Sequence, residues 1–330
     1  MIIAYIDCFS GVAGDMLLAA LIDAGAPLET IREGLGTIAP IKDEWDIDVH
    51  RVTKGKGSVA AAHVTVTSKY QHRPVAPPAA SLNGDHGHDH NHSHGHSHSR
   101  GHSHRHSHGH SHSHGHTDNE QARDQEEVVT ITPASPAGAT EEIEDDPIRD
   151  LTSIREMIME SGLPTVVKER SVRVFTELGE AEAKTHGSTL DQQVHFHEVG
   201  AIDSIVDTVG VVYALHLLGV EKVYCSSLPF SEGTVWTAHG IVPVPAPATL
   251  RLLVGLPTCP GPKSASGELV TPTGAALVRV LSSEFGRPPL FVPQTIGIGA
   301  GTKDFEMHPN ILRVILGEVS PPRRRKSHNH

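Results

Sequence analysis

Aromatic residues make up only 4% of this 330-residue chain, and there are just three cysteines. Cys8, Cys225 and Cys259 form neither a CxxC pair nor an even framework, which excludes a disulfide scaffold and fits a reducing compartment. Positive charge is also scarce: 27 Lys+Arg against 39 Asp+Glu give a formal charge of −12 with histidine neutral. That balance excludes a nonspecific nucleic-acid binder, which needs a basic face to displace counterions from phosphates. The basic run Arg323-Arg324-Arg325-Lys326 lies in a polar tail and reads as a solvated terminus. Long apolar runs are missing too; the most apolar later stretch, Thr208–Val220, includes His216 and is too short to span a bilayer. The N-terminus has no basic n-region and reaches Asp7 before an apolar h-region forms, unlike a signal peptide. The expectation is a cytoplasmic protein with no membrane or nucleic-acid partner.

Histidine is what the chain has in excess, with 26 residues. Fifteen of them, His86, His88, His90, His92, His94, His96, His98, His102, His104, His106, His108, His110, His112, His114 and His116, recur at near-alternate positions. They sit within residues 70–147, a stretch of Pro, Ser, Gly, His and acidic residues with few large apolar side chains. Such a stretch cannot bury enough surface to offset its conformational entropy, so it is expected to be a disordered insertion. Unprotonated imidazoles there offer many interchangeable sites for Ni, Cu, Co or Zn, giving capacity and local concentration without fixed geometry. The alternative is a low-complexity expansion that binds metal incidentally.

The flanking sequence is patterned. Residues 2–6 read as a strand, followed by a Gly-rich loop and a helix from Met16 to Ala24 closed by Gly25. Trp45–Thr53 and Val59–Thr67 alternate around Gly55-Lys56-Gly57 as a hairpin. Leu151–Gly162, Val166–Lys184 and Ala201–Leu218 have helical spacing, and Gln193–Val199 alternates like a strand. From there to about Val319 short strands and one helix near Gly274–Phe285 are expected, with Gly297, Gly299 and Gly301 marking turns or bulges and Pro243–Pro247 a rigid extended segment. Residues 1–69 and 148–319 are thus expected to form one α/β (or α+β) body of sheet and helices, followed by a polar tail at 320–330.

Three constellations carry chemistry. In His195-Phe196-His197-Glu198-Val199-Gly200-Ala201-Ile202-Asp203-Ser204-Ile205-Val206-Asp207, a strand would put His195 and His197 on one face, about 6.5–7 Å apart. A following helix makes Asp203 and Asp207 i,i+4 neighbours. Two imidazoles with carboxylates suit Zn, Ni, Mn or Fe; the plain alternative is satisfied core histidines and dipole-favoured carboxylates. In the second, Asp7 ends the first strand, where α/β proteins place ligands, while Ser10, Gly11, Gly14 and Asp15 lead into a helix N-terminus. No Lys follows the glycines, so neither a Walker A loop nor GxGxxG is present. In the third, Thr271, Thr273 and Gly274 open a helix that could receive a phosphate or simply be capped.

These blocks resemble the LarC family of nickel insertion proteins. DCFSGVAGDM (Asp7–Met16), HFHEVGAIDSIVD (His195–Asp207), HGIVPVPAPAT (His239–Thr249), ELVTPTGAAL (Glu268–Leu277) and GIGAGTKDFEMHPNILR (Gly297–Arg313) follow the family order. The resemblance implies Ni(II) insertion into pyridinium-3,5-bisthiocarboxylic acid mononucleotide, forming a nickel–carbon bond in a lyase-type reaction. It also implies CTP with Mg or Mn, and delivery of the product to lactate racemase or a related epimerase. For that chemistry the spacing independently offers His195, His197, Asp203 and Asp207 as metal ligands, and Glu198 as a ligand or base. Asp7 and Asp15 would be catalytic, binding a second cation or substrate with Ser10. Gly11, Gly14, Thr271, Thr273 and Gly274 would hold phosphate. Family members continue into a domain opening with a motif like E-T-N-I-D-D-M that carries the nucleotide-triphosphate site, and that motif does not follow Glu318 here. The chain is therefore expected to be either the N-terminal partner of a separate C-terminal LarC chain or a truncated product. The competing functions are a nickel store built on the His-rich segment and a metal-dependent phosphohydrolase.

Overall fold

The computed structural model describes residues 1–56, 58–70, 147, 149–190, 196, 201–237, 240–263 and 265–319. All of them fall in one unit formed by Met1–Pro77 and Glu142–His330. The His-rich segment, the Gln193–Val199 strand apart from Phe196, and the tail at 320–330 lie outside the described residues.

The architecture is mixed α/β. A seven-stranded sheet runs in the order β2-β3-β10-β11-β1-β4-β9. Its strands are β1 (Ile2–Asp7), β2 (Trp45–Lys54), β3 (Val59–Ser68), β4 (Lys222–Cys225), β9 (Ser282–Phe285), β10 (Val292–Ala300) and β11 (Ile311–Glu318). The 45–68 hairpin is antiparallel, whereas β1, β4 and β9 are mutually parallel neighbours. Two small sheets pair β5 (Leu228–Phe230) with β8 (Thr258–Pro260), and β6 (Thr234–Thr237) with β7 (Gly240–Pro243). The helices are α1 (Gly14–Asp23), α2 (Leu28–Leu35), α3 (Leu151–Glu160), α4 (Thr165–Thr185), α5 (Ile202–Leu217), α6 (Pro247–Leu253) and α7 (Pro272–Leu281).

Alternation on β1 sends Ala4 and Ile6 into the main core, together with Leu312, Val314 and Leu316 of β11. Helix α1 joins this core through Met16–Leu21, buried between the sheet and α5, and ends before Gly25, whose φ of +113° is left-handed. How closely α1 sits on the sheet is set by strand glycines. A Cβ at Gly297 would lie 1.8 Å from the Ala20 carbonyl oxygen, and one at Gly299 1.9 Å from that of Met16. These glycines therefore form neither turns nor bulges; they are strand positions over which the backbone of α1 is laid.

Three further expectations are corrected. The helix read to Phe285 ends at Leu281, because Ser282–Phe285 pairs in parallel with β4. Pro243–Pro247 is not one extended piece: it leaves β7, turns at the cis Val244–Pro245 bond, and enters α6 with Pro247 in the first turn. Helix α6 adds to the single late helix expected, and α2, in a stretch with no assignment from sequence, buries only a narrow stripe at Ile31 and Leu35.

Candidate functional site

The loop after β1 is stitched to the segment leading into α7. The Val12 N–H donates to the Leu269 carbonyl at 3.0 Å, and the Thr271 N–H donates to the Val12 carbonyl at 3.1 Å. Glycine is required on both sides: a Cβ at Gly11 (φ +111°) would meet the Leu269 oxygen at 1.9 Å, and one at Gly274 the Val12 oxygen at 2.2 Å. A Cβ at Gly14 would lie 2.8 Å from Asp207 Cβ. The close approaches expected for a ligand are thus taken up by protein at Gly11, Gly14 and Gly274. The amides of Gly11 and Gly274 are also engaged, with the Cys8 carbonyl at 3.0 Å and Thr271 Oγ1 at 3.1 Å.

This stitching brings the N-terminal ends of α1, α5 and α7 around one cavity of about 350 Å³. Asp15, Asp203, Ser204, Asp207, Thr271 and Thr273 line it, with His63 of β3 and Thr302 of the β10–β11 connection. Thr271 caps α7 through its hydroxyl, and Thr273 Oγ1 lies 3.0 Å from Ser204 Oγ, tying α7 to α5.

Three carboxylates converge here. Asp203 is exposed and accepts the Ser204 N–H at 2.7 Å. One turn later, Asp207 Oδ1 is sealed from solvent and has no hydrogen-bond partner among the described residues. Burial first, then the charges of Asp15 and Asp203, push the Asp207 carboxyl well above the usual carboxylate range; the Asp15 N–H, donating to it, opposes the rise. Asp15 is also raised, chiefly by burial and then by Asp203, against the lowering effects of the Met16 N–H and His63. A divalent cation would reverse the energetics of Asp15 and Asp207, since it neutralises the repulsion that burial concentrates. Among the described residues, however, no group of three or more His, Cys, Asp or Glu side chains is set to hold a metal ion by itself. His195, His197, Glu198 and His239 lie outside the described residues, whereas Phe196 between them is buried in the main core.

The remaining sequence candidates lie apart from this cavity. Asp7 is paired across β1–β11 with Arg313, whose Nε donates to Oδ2 at 3.0 Å. It lines a separate space of about 280 Å³ with Cys8, Phe9, Ser226 and Cys259. Ser10 is buried and donates to the Pro309 carbonyl at 2.7 Å, fastening the 301–310 connection. Sequence reasoning missed His63, which stands in a strand with no motif of its own. Its signal was slight, a histidine amid the Ala, Val and Thr of VAAAHVTVTS.

Against this geometry, comparison with known proteins gives a consistent result. Residues 4–329 match the profile of the nickel insertion protein family. A protein of Geobacter sp. (strain M21), provisionally named a nickel insertion protein, is 40% identical over 318 residues, covering 96% of this chain and 62% of the relative. The pyridinium-3,5-bisthiocarboxylic acid mononucleotide nickel insertion protein of Desulfitobacterium hafniense (strain DCB-2) is 36% identical over 317 residues, covering 96% of this chain and 58% of the relative. The chain belongs to the nickel insertion protein family. It spans roughly three fifths of the length of these relatives. No solved structure matches it significantly. Among the described residues no helix is long and apolar enough to cross a membrane.

Proposed function

We propose that this chain takes part in nickel insertion into pyridinium-3,5-bisthiocarboxylic acid mononucleotide, with the Asp15/Asp203/Asp207 cavity as the place where nickel meets the nucleotide. The reading rests on the named activity of the Desulfitobacterium relative. One observation carries it to a place in this chain: the buried, unpartnered Asp207 Oδ1 among like charges, an arrangement that a cation completes. Nickel is here a substrate. When it replaces the ring hydrogen, a C–H bond breaks, a Ni–C bond forms and one proton leaves. Asp203 and Asp207, with His195 and His197, would hold the ion, Asp15 the ion or the substrate, and Glu198 would take the proton. The polar rim formed by Thr271 and Thr273 at the start of α7 suits the nucleotide phosphate.

In this reading CTP and Mg or Mn act through a polypeptide corresponding to the rest of the relatives' length. The reaction is lyase-type and cytoplasmic, and the product passes to a lactate racemase or epimerase. The fifteen histidines from His86 to His116 gather metal for it. The test combines this chain, that polypeptide, the precursor, Ni(II), Mn(II) and CTP, and follows the nickel isotope pattern of the nucleotide by mass spectrometry. Asp207→Asn should slow metallation by about 100-fold; metallation unchanged in both Asp203→Asn and Asp207→Asn would remove the cavity from the reaction.

A further inference from the structure

His63 lines the same cavity as the aspartates, and none of the motif blocks contains it. Its Nδ1 lies 3.0 Å from the Ala300 carbonyl oxygen. A carbonyl only accepts, so in the neutral ring Nδ1 carries the hydrogen and Nε2 keeps its lone pair. Proteins orient metal-binding imidazoles in this way, the second ring nitrogen donating to a backbone carbonyl. The ring is steadied further by an edge contact with His50, 5.2 Å between centroids at 73°.

Two other features of the cavity point to the same kind of ligand. Asp207 Oδ1 is an acceptor sealed from water with no donor facing it among the described residues. A cavity lined by both an imidazole and carboxylates matches Ni(II) better than it matches Mg or Ca, which favour oxygen alone. The described side chains do not close a site by themselves. For a resident structural ion that would be a defect; for an ion passed on to a substrate it leaves coordination positions open for water and for the acceptor's own donors.

We propose that His63 Nε2 is a ligand of the nickel ion in transit, acting with the Asp207 carboxylate while water or substrate fills the remaining positions. This assignment rests on the nickel-insertion reading, but its test is separate from activity. Trypsin releases His63 as the single histidine of Gly57–Lys69, and His50, outside the cavity, as the single histidine of Asp43–Arg51. Each can therefore be read by mass spectrometry despite the His-rich segment. The full chain is treated with diethyl pyrocarbonate, with and without Ni(II) held at a fixed free concentration by a chelator.

Nickel should lower modification of His63 by about tenfold or more, because a coordinated nitrogen has no lone pair to react. His50 should change little, and Asp207→Asn should abolish the protection of His63. Equal modification with and without nickel would overturn the assignment. So would a His63 unreactive even without nickel, since a nitrogen open to the ion is open to the reagent. Protection that survives in Asp207→Asn would overturn the pairing of these two ligands. Protection in a chain that never supports metallation would instead overturn the insertion reading and leave the ligand assignment standing. Full metallation without protection would do the reverse.

Discussion

Replacing Gly14 by alanine separates the shape of the cavity from the stability of the fold. The new Cβ would lie 2.8 Å from Asp207 Cβ and 2.9 Å from its Oδ2. Unstrained carbon contacts need about 3.5–4.0 Å, so something must give by about 1 Å. Asp207 Cβ is fixed to α5, and α5 is itself wedged against α1, where a Cβ at Gly210 would meet Leu18 at 3.2 Å. The yielding parts are therefore the Asp207 carboxylate and the first turn of α1, which carries Asp15 and the N–H that donates to Asp207. Overpacking of this kind costs about 1–3 kcal/mol, and the better helix propensity of alanine returns up to about 1 kcal/mol. A net loss of about 0–3 kcal/mol corresponds to a fall in Tm of at most about 12 °C for a body of this size. Metallation should fall far more, by about 100-fold, the usual effect of a 1 Å misplacement. Calorimetry and the mass-spectrometric metallation assay measure the two effects. Gly34→Ala is the control, since its Cβ would strike Tyr213 Cε1 at 2.3 Å, away from the cavity; it should lower Tm and spare the rate. A Gly14→Ala chain that metallates at the parental rate would refute the claim that the position of Asp207 is used.

Two further outcomes follow from the same structure. Asp15 and Asp207 titrate above their unfolded range, so between the two ranges the folded chain binds more protons, and the metal-free fold loses stability as pH rises through that window. Asp207→Asn should flatten this dependence and stabilise the metal-free chain at pH 8 by about 1–3 kcal/mol, while saturating nickel does the same for the parent; urea titrations across pH check both, and a parent whose stability rises over that window would contradict the electrostatics. Gly299→Val should abolish folding, because its Cβ would sit 1.9 Å from the Met16 carbonyl oxygen, backbone that cannot move without lifting α1 off the sheet; a native circular dichroism spectrum with a cooperative melt would disprove that packing.

Local pattern carried much of the fold. The 45–68 hairpin, β1, and helices α3 to α5 were legible because alternation or helical spacing held over ten or more residues, or ended on clear glycine stops. Helix α6 was hidden because prolines at 243, 245 and 247 suggest extension, although proline also suits a first helical turn. The end of α7 at Leu281 is fixed by pairing with β4, which no local signal reports. In the site, Asp203 and Asp207 were legible from their i,i+4 spacing, and Asp15 from its place at a helix start. Asp7 looked equally exposed to chemistry, yet Arg313, 306 residues along, holds its carboxylate in a cross-strand pair. His63 joins the cavity through tertiary placement of β3 beside α1, and sequence spacing cannot express that.

The sheet order also bears on how the chain is made. Among the described strands β1 is synthesised first and its antiparallel neighbour β11 last, with Asp7 and Arg313 306 residues apart. At about 5–20 residues per second the interval between them is roughly 15–60 s. Throughout it, Ile3, Ile6 and their backbone groups have an unpaired edge, the kind of surface that recruits foreign strands. The loop at 8–13 and the helix start at Gly14 hang from that unfinished strand, so the cavity, which Thr271, Thr273 and Thr302 also line, can form only after those segments have been made. On the proposed reading, nickel would meet the pocket only after β11 has been made, and a shorter nascent fragment would offer it scattered histidines and carboxylates instead.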